Sequence, residues 1–285
     1  MAAMRYCGRE FSAEDIVLIN RLIASGINRK TLSKRFCEQV GWVKPDGGLK
    51  DMSCRVAMLR MHRDGHICLP HPQKPANNGL KKGRRTLLAG PQPEITQPAG
   101  EHALQIDLAT KENSALWNEY MDRYHYLGYF PLPGAQLRYF VRSGGQALAL
   151  LGFGAAAWKT EPRDSYIGWD AETRKRNLHL IINNARFLVL PWVRSKNLAS
   201  RVLSLVSRRI ASDWKKRYNY EPVLLETFVE KERFQGTCYK AANWIHVGDT
   251  KGRGKLDVKN EYKLPVKGVW LYPLRKDFRK RLIEE

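Results

Sequence analysis

The chain has 285 residues, 43% of them hydrophobic and 27% charged, which suits a soluble protein with a real core in one large or two unequal domains. Lysine and arginine number 49 against 28 acidic residues, a formal net charge of +21; a surplus of this size calls for a polyphosphate counter-charge, with nucleic acid the natural partner. Five scattered cysteines without a C-x-x-C and seven histidines without H-x-x-x-H spacing exclude a disulfide framework and a preformed zinc site. There is neither a recognisable signal peptide nor an apolar run of about 18 residues, so a cytoplasmic protein without membrane contact is expected.

Residues 1–72 read as a small winged-helix domain. Ser12 is placed to cap a helix, with Asp15 three residues on, and Ile16, Ile19, Leu22 and Ile23 trace its apolar face. Gly26 ends it, and Asn28 can cap a second helix through Leu32, Phe36 and Val40. A third helix is predicted from about Met52 to Arg63, with Val56 and Leu59 inward, His62 a further inward candidate, and Arg55 and Arg60 on its surface. His66–Leu69 then reads as a short strand. In a winged helix the third helix enters the major groove, where Arg55 and Arg60 would meet guanine edges or phosphates; such units also serve as protein contact modules.

Residues 73–104 are rich in Pro, Gly and Asn and read as a linker. Its basic cluster, Lys81, Lys82, Arg84 and Arg85, could track phosphates without regard to sequence. Residues 105–285 form the main α/β domain. Asn113 is a capping candidate for a helix carrying Leu116, Trp117, Tyr120, Met121 and Tyr124. The aromatic run Tyr124–Phe130 is mainly core, with one or two rings free to stack on unpaired bases. Gly144-Gly145 between Leu137–Val141 and Gln146–Leu151 signals a hairpin. Gly152 and Gly154 imply that something approaches that strand closely, either a helix or a ligand.

The run from Ala185 to Gly254 organises the rest. Phe187–Leu190 suits a buried strand, and Leu198, Val202, Leu205, Val206 and Ile210 recur at helical spacing. Val223–Leu225, a short helix at Cys238–Asn243, and Trp244–Val247 continue the alternation of strand and helix. At the start of the long helix, Arg194, Lys196 and Asn197 sit where free N–H groups favour an anion. Lys251 and Arg253 lie in a basic glycine-rich turn that lacks the spacing of a Walker loop. The tail from Lys255 is basic, with an extended stretch Val269–Tyr272 and a final helix from Arg275 to Leu282.

Acidic residues are scarce, so Asp164, Glu226 and Glu230 in largely apolar surroundings are candidates for chemistry. Together they could hold Mg²⁺ for phosphodiester cleavage, with Asp164 and Glu226 catalytic. The simpler and preferred reading is that Asp164 or Glu226 pairs with a buried arginine such as Arg163 or Arg186, because a buried carboxylate needs a partner.

The order of elements in the Ala185–Gly254 run resembles the second half of the GNAT acyltransferase fold. Arg194–Ala199 is similar to that family's R-x-x-G-x-A phosphate loop with Asn197 in place of glycine, and Cys238–Trp244 is similar to its Y-x-x-x-G-F closure with Asn243-Trp244 in place of Gly-Phe. The resemblance implies a GNAT-like mixed sheet with flanking helices, a general-acid role for Tyr239, and a coenzyme A site that the Asn197 side chain disfavours. More specifically, LRYFV, LALLGFGAAAWK, RDSYIGW, NNARFLVLPWV, KNLAS, LLETFVE, GTCYKAANW and GDTKGRG, in that order, resemble the DruA family of the Druantia anti-phage system, whose domains also occur in mobile elements. That implies a DNA-binding protein of defence or mobile-element context, with DNA cleavage as an extension and other defence proteins, such as a helicase, as partners. The alternatives are a CoA-dependent acyltransferase and a non-catalytic adaptor bringing a helicase or transposase to DNA.

Overall fold

The chain forms two units, Met1–Lys81 and Lys82–Glu285. The structure, a computed structural model, describes residues 4–73, 86–101, 103–252 and 264–284. The first unit opens with an antiparallel hairpin of β1 (Met4–Tyr6) and β2 (Arg9–Phe11), turned at Cys7 and Gly8, both at positive φ. Helix α1 (Ala13–Ala24) starts on a capping box: Ser12 Oγ accepts from the Asp15 amide and the Asp15 carboxylate accepts from the Ser12 amide, both at 3.2 Å. Asn28 Oδ1 caps α2 (Arg29–Gln39) by accepting two amides at 3.0 Å. Helix α3 (Asp51–Arg63) completes the unit, whose core gathers Phe11, Ile19, Leu32, Phe36, Trp42 and Met58.

Two expectations for this unit are corrected. The buried face of α3 is Cys54, Ala57, Met58 and Met61, while Val56 is exposed. These positions repeat at helical spacing, and small or sulfur-bearing side chains fill the space that Val56 and Leu59 were expected to fill. The wing strand at His66–Leu69 is absent. Ile67 and Leu69 are buried there, but His62 Nδ1 lies 3.1 Å from the Ile67 carbonyl and 3.4 Å from the Leu69 amide, donating to the first or accepting from the second according to the ring's tautomer. A side-chain bond thus replaces a strand partner, and the two-stranded element lies at the start of the unit instead.

The second unit is built on a seven-stranded sheet ordered β3 (Gln105–Leu108), β4 (Gln136–Ser143), β5 (Gln146–Ala155), β6 (Ile181–Val189), β7 (Leu224–Glu230), β9 (Lys267–Pro273), β8 (Ile245–Asp249). All neighbours are antiparallel except β6 and β7. This is the expected GNAT-like mixed sheet with flanking helices. The β4–β5 turn uses Gly144 (φ 55°) and Gly145 (φ 82°), as a tight hairpin with two left-handed residues requires. Helices α4 (Ser114–Tyr124) and α7 (Leu198–Tyr218) supply Trp117, Met121, Val202, Val206 and Ile210 to one core cluster. Helices α5 (Glu161–Ile167) and α9 (Phe278–Glu284) supply Ile167, Phe278 and Leu282 to another. Helices α6 (Ala171–Asn177) and α8 (Thr237–Ala241) complete the set among the described residues.

The close approach implied at Gly152 is made from a helix: a Cβ there would lie 3.2 Å from the Trp117 ring of α4 and 3.2 Å from Arg186 Cβ. The expected linker is also corrected over residues 86–101. Tyr120 and Tyr124 donate to the carbonyls of Leu88 and Ala89 at 3.0 and 2.8 Å, and Ala89 and Ala99 are buried. Ile95 exchanges 2.8 Å bonds with the loop after β6, donating to the Trp192 carbonyl and accepting from the Arg194 amide. Backbone bonds and small alanines anchor this strap, so it carries no apolar periodicity to read. The cluster Lys81, Lys82, Arg84 and Arg85 lies outside the described residues.

Candidate functional site

Strands β6 and β7 pair only from Ile181–Asn183 to Leu224–Glu226. Beyond that register they diverge, and the gap opens into a cleft of about 860 Å³. A β-bulge in β6 aims polar side chains at it: Gly152 faces Arg186 while Phe153 faces Asn184, leaving Ala185 as the extra residue. Asn183, Asn184 and Arg186 therefore line the cleft together, with Thr227, Glu230 and Tyr239 across from them and His125, Tyr126 and Phe234 among its other lining residues.

The polar groups there form a defined set. Asn184 is buried; its Nδ2 donates to the Arg186 carbonyl at 3.1 Å and its Oδ1 accepts the Tyr239 hydroxyl at 2.9 Å. Thr227 Oγ1 donates to the Asn184 carbonyl at 2.9 Å. Burial pushes the Tyr239 phenol up, so it stays protonated. Asn183 Oδ1 is buried and, among the described residues, has no hydrogen-bond partner. The Arg186 Nη1 donates to the Ala185 carbonyl at 2.7 Å, but no carboxylate pairs with this guanidinium among the described residues. Burial lowers its pKa from the ordinary arginine value. His125 is driven down to about 4, first by burial and then by the charge of Arg186, and so is neutral at pH 7. The cleft thus holds the Arg186 guanidinium, Lys267, the Glu230–Arg233 pair, a buried amide oxygen and a buried phenol, with Tyr126 and Phe234 among its walls.

The carboxylates expected to hold a metal do other work. Glu226 is fully buried: one oxygen accepts the Ala157 amide at 2.7 Å and the other accepts Arg163 Nη1 at 2.8 Å. Asp164 accepts Arg163 Nε and Nη2 at 2.9 and 2.8 Å, Trp169 Nε1 at 3.0 Å, and Arg174 at 3.4 Å. Burial raises the Glu226 pKa, and Arg163 opposes that rise. These two residues are brought together, but as the arms of a buried ion-pair cluster. Glu230 is separate, on the cleft wall, and pairs with Arg233 at 2.8 Å. The cysteine beside Tyr239, Cys238, has its thiol pushed up by burial and is a poor nucleophile.

The basic candidates are dispersed. Arg55 pairs with Asp51 at 3.4 Å along α3, and Arg60 is exposed one turn on. Arg194 is exposed and pairs with Glu94 of the strap at 2.9 Å, while Lys196 is exposed. Asn197 precedes α7 at φ 63°, the left-handed geometry glycine would supply, and makes no side-chain cap. Lys251 pairs with Glu161, and Arg253 lies outside the described residues. The sequence reading missed Asn183 and the cleft role of Arg186, although the polar run Asn183-Asn184-Ala185-Arg186 inside an apolar strand was a visible signal.

The sequence matches the family described as "Druantia protein DruA" over residues 88–262. No curated protein matches it. Similar solved structures include a spermidine N-acetyltransferase SpeG chimera from Vibrio cholerae and hSSAT (10% identity, 60% of this chain and 95% of that one, TM-score 0.40). Others are an N-acetyltransferase from Staphylococcus aureus Mu50 (15%, 60% and 99%, 0.37) and the aminoglycoside acetyltransferase AAC(6')-Ib in complex with coenzyme A (13%, 62% and 98%, 0.41). The cofactor expectation, Mg²⁺ on the carboxylates with coenzyme A disfavoured, is corrected: Asp164 and Glu226 are taken up by Arg163, and among the described residues no group of three His, Cys, Asp or Glu side chains could hold a metal. Among the described residues no helix is long and apolar enough to cross a membrane.

Proposed function

The chain belongs to the DruA family, and from that premise we propose that it is a nucleic-acid-binding protein of an anti-phage or mobile-element system whose β6–β7 cleft receives a phosphate-bearing part of the ligand. The observation that carries this reading is Arg186. A half-buried guanidinium without a carboxylate costs desolvation energy that a bound anion offsets. The net charge of +21 supplies long-range attraction for DNA, and the exposed Arg60 of α3 offers a second contact in the first unit. Recruitment of a helicase or other defence protein would follow from DNA engagement and belongs to the same proposal.

The test is anisotropy of labelled single-stranded and duplex DNA with the full chain across a salt series. Affinity should fall steeply with salt, and Arg186→Met should weaken binding while lowering the log–log salt slope by about one. Unchanged affinity and slope in Arg186→Met would remove the cleft from the reading. A second reading, acyl transfer from coenzyme A in the same cleft, is supported by one specific feature: Tyr239, held by Asn184 and kept protonated by burial, lines the cleft, and a phenol can serve as a general acid. Calorimetry with acetyl-CoA distinguishes the two. Saturable acetyl-CoA binding in a protein that ignores DNA would make this the better account.

A further inference from the structure

A second cavity, of about 580 Å³, lies beside the cleft, toward the β8 edge of the sheet, with Phe234 and Gln235 lining both. Its floor is a cross-strand pair of rings: His246 of β8 faces Trp270 of β9 in register, with centroids 5.0 Å apart. Trp244 and the half-exposed Phe234 extend the aromatic lining. Two glycines make room for it. A Cβ at Gly236 would come within 2.6 Å of the Trp270 ring, and one at Gly268 would lie 3.2 Å from both His246 Nε2 and Trp270 Nε1. At Gly268, inside a strand, the missing Cβ is what lets these two rings pack closely.

The charges choose the ligand. Lys231 and Lys240 line the cavity, and no carboxylate does among the described residues. Asp249, next to the cavity, holds Lys231 Nζ and His246 Nε2 (3.1 Å), which leaves the exposed Lys240 as the unneutralised cation. Aromatic rings alone would suit a cation as well as a planar base, but the charge of Lys240 repels cations. A planar heteroaromatic group carrying a phosphate satisfies both features, with ring against ring and phosphate against Lys240. We propose that this cavity holds one unpaired nucleotide of a bound strand, an inference that rests on the nucleic-acid reading above.

The experiment uses the full chain and a single-stranded oligothymidylate with one central 5-iodouracil, photocrosslinked and mapped by mass spectrometry. It is run alongside anisotropy of single-stranded and duplex DNA with wild type and the double variant Lys240→Ala/His246→Ala; both positions are surface-exposed, and circular dichroism checks the fold. The expected result is a crosslink to the peptide carrying Trp270 or His246, with about a tenfold loss of single-strand affinity and duplex affinity within about twofold of wild type. Crosslinks confined to other peptides, or equal losses on both DNA forms, overturn the nucleotide site while leaving the cleft proposal standing. Competition by free thymidine monophosphate at strand-equivalent concentration also overturns it, in favour of a mononucleotide site. A wild type that binds neither DNA form sinks the parent reading and this inference together.

Discussion

Replacing Arg163 with methionine should reveal how much of the second unit's stability passes through one buried guanidinium. In the wild type Arg163 bonds Glu226 at 2.8 Å and Asp164 at 2.8 and 2.9 Å, and both Arg163 and Glu226 are fully buried. The variant leaves Glu226 with the Ala157 amide alone, whereas Asp164 keeps Trp169 and Arg174. Removing one partner of a buried pair costs about 3–5 kcal/mol. With a urea dependence of about 2 kcal/mol per molar, the unfolding midpoint should fall by about 1.5–2.5 M. The loss should also depend on pH in a fixed direction. The folded pKa of Glu226 is raised, so the stability linked to its proton is full below the unfolded carboxyl value and is lost as pH rises through the folded value. Without Arg163 that pKa rises further, so the deficit against wild type should grow from pH 5 to pH 8. Urea titrations followed by tryptophan fluorescence at both pH values measure this. A midpoint loss under about 0.5 M, or a deficit that does not change with pH, would refute the buried-pair argument.

Two other outcomes are expected. The His125 imidazole should titrate near 4 in a histidine Hε1 proton NMR series; because its folded pKa lies below the unfolded value, its contribution to stability is present at neutral pH and lost as pH falls through about 4, and a midpoint above 6 would contradict the desolvated cleft. At Asn197, held at φ 63°, Asn197→Gly should leave stability nearly unchanged while Asn197→Ala lowers it by about 1 kcal/mol, seen as a melting point about 2–4 °C lower, and equal melting of the alanine and wild-type proteins would deny the left-handed requirement.

Elements that rest on local chemistry were legible in the sequence. The Ser12 and Asn28 caps, the Gly144-Gly145 hairpin and the apolar face of α7 each follow from residues within a few positions of one another. Elements that rest on distant partners were not. Strand β3 is only Gln105–Leu108 and owes its pairing to β4, and the first half of β6 is polar at Asn183 and Asn184 because it turns toward a cleft. The site divides in the same way. Scarcity singled out Asp164 and Glu226, and both do matter. Their role was decided by Arg163, adjacent to Asp164 in the chain but 63 positions from Glu226. Burial with an arginine partner and burial around a metal place the same demand on a carboxylate at the level of sequence, and only the fold separates them.

The loop before α7 has a backbone that glycine would adopt freely. Asn197 holds it at φ 63°, because asparagine tolerates the left-handed region better than other side chains. The loop is also tied down within the chain. The strap over residues 86–101 takes up the Arg194 amide through the Ile95 carbonyl, donates the Ala99 amide to Lys196 at 3.2 Å, and pairs Glu94 with Arg194. A loop whose first amide and first cation are already engaged within the chain has less to offer an incoming anion than Arg186, which has no carboxylate among the described residues. Anion recognition in this unit is therefore expected to centre on the bulged strand β6. Substitutions at Arg194 should then act mainly through the strap, and those at Arg186 directly on the ligand.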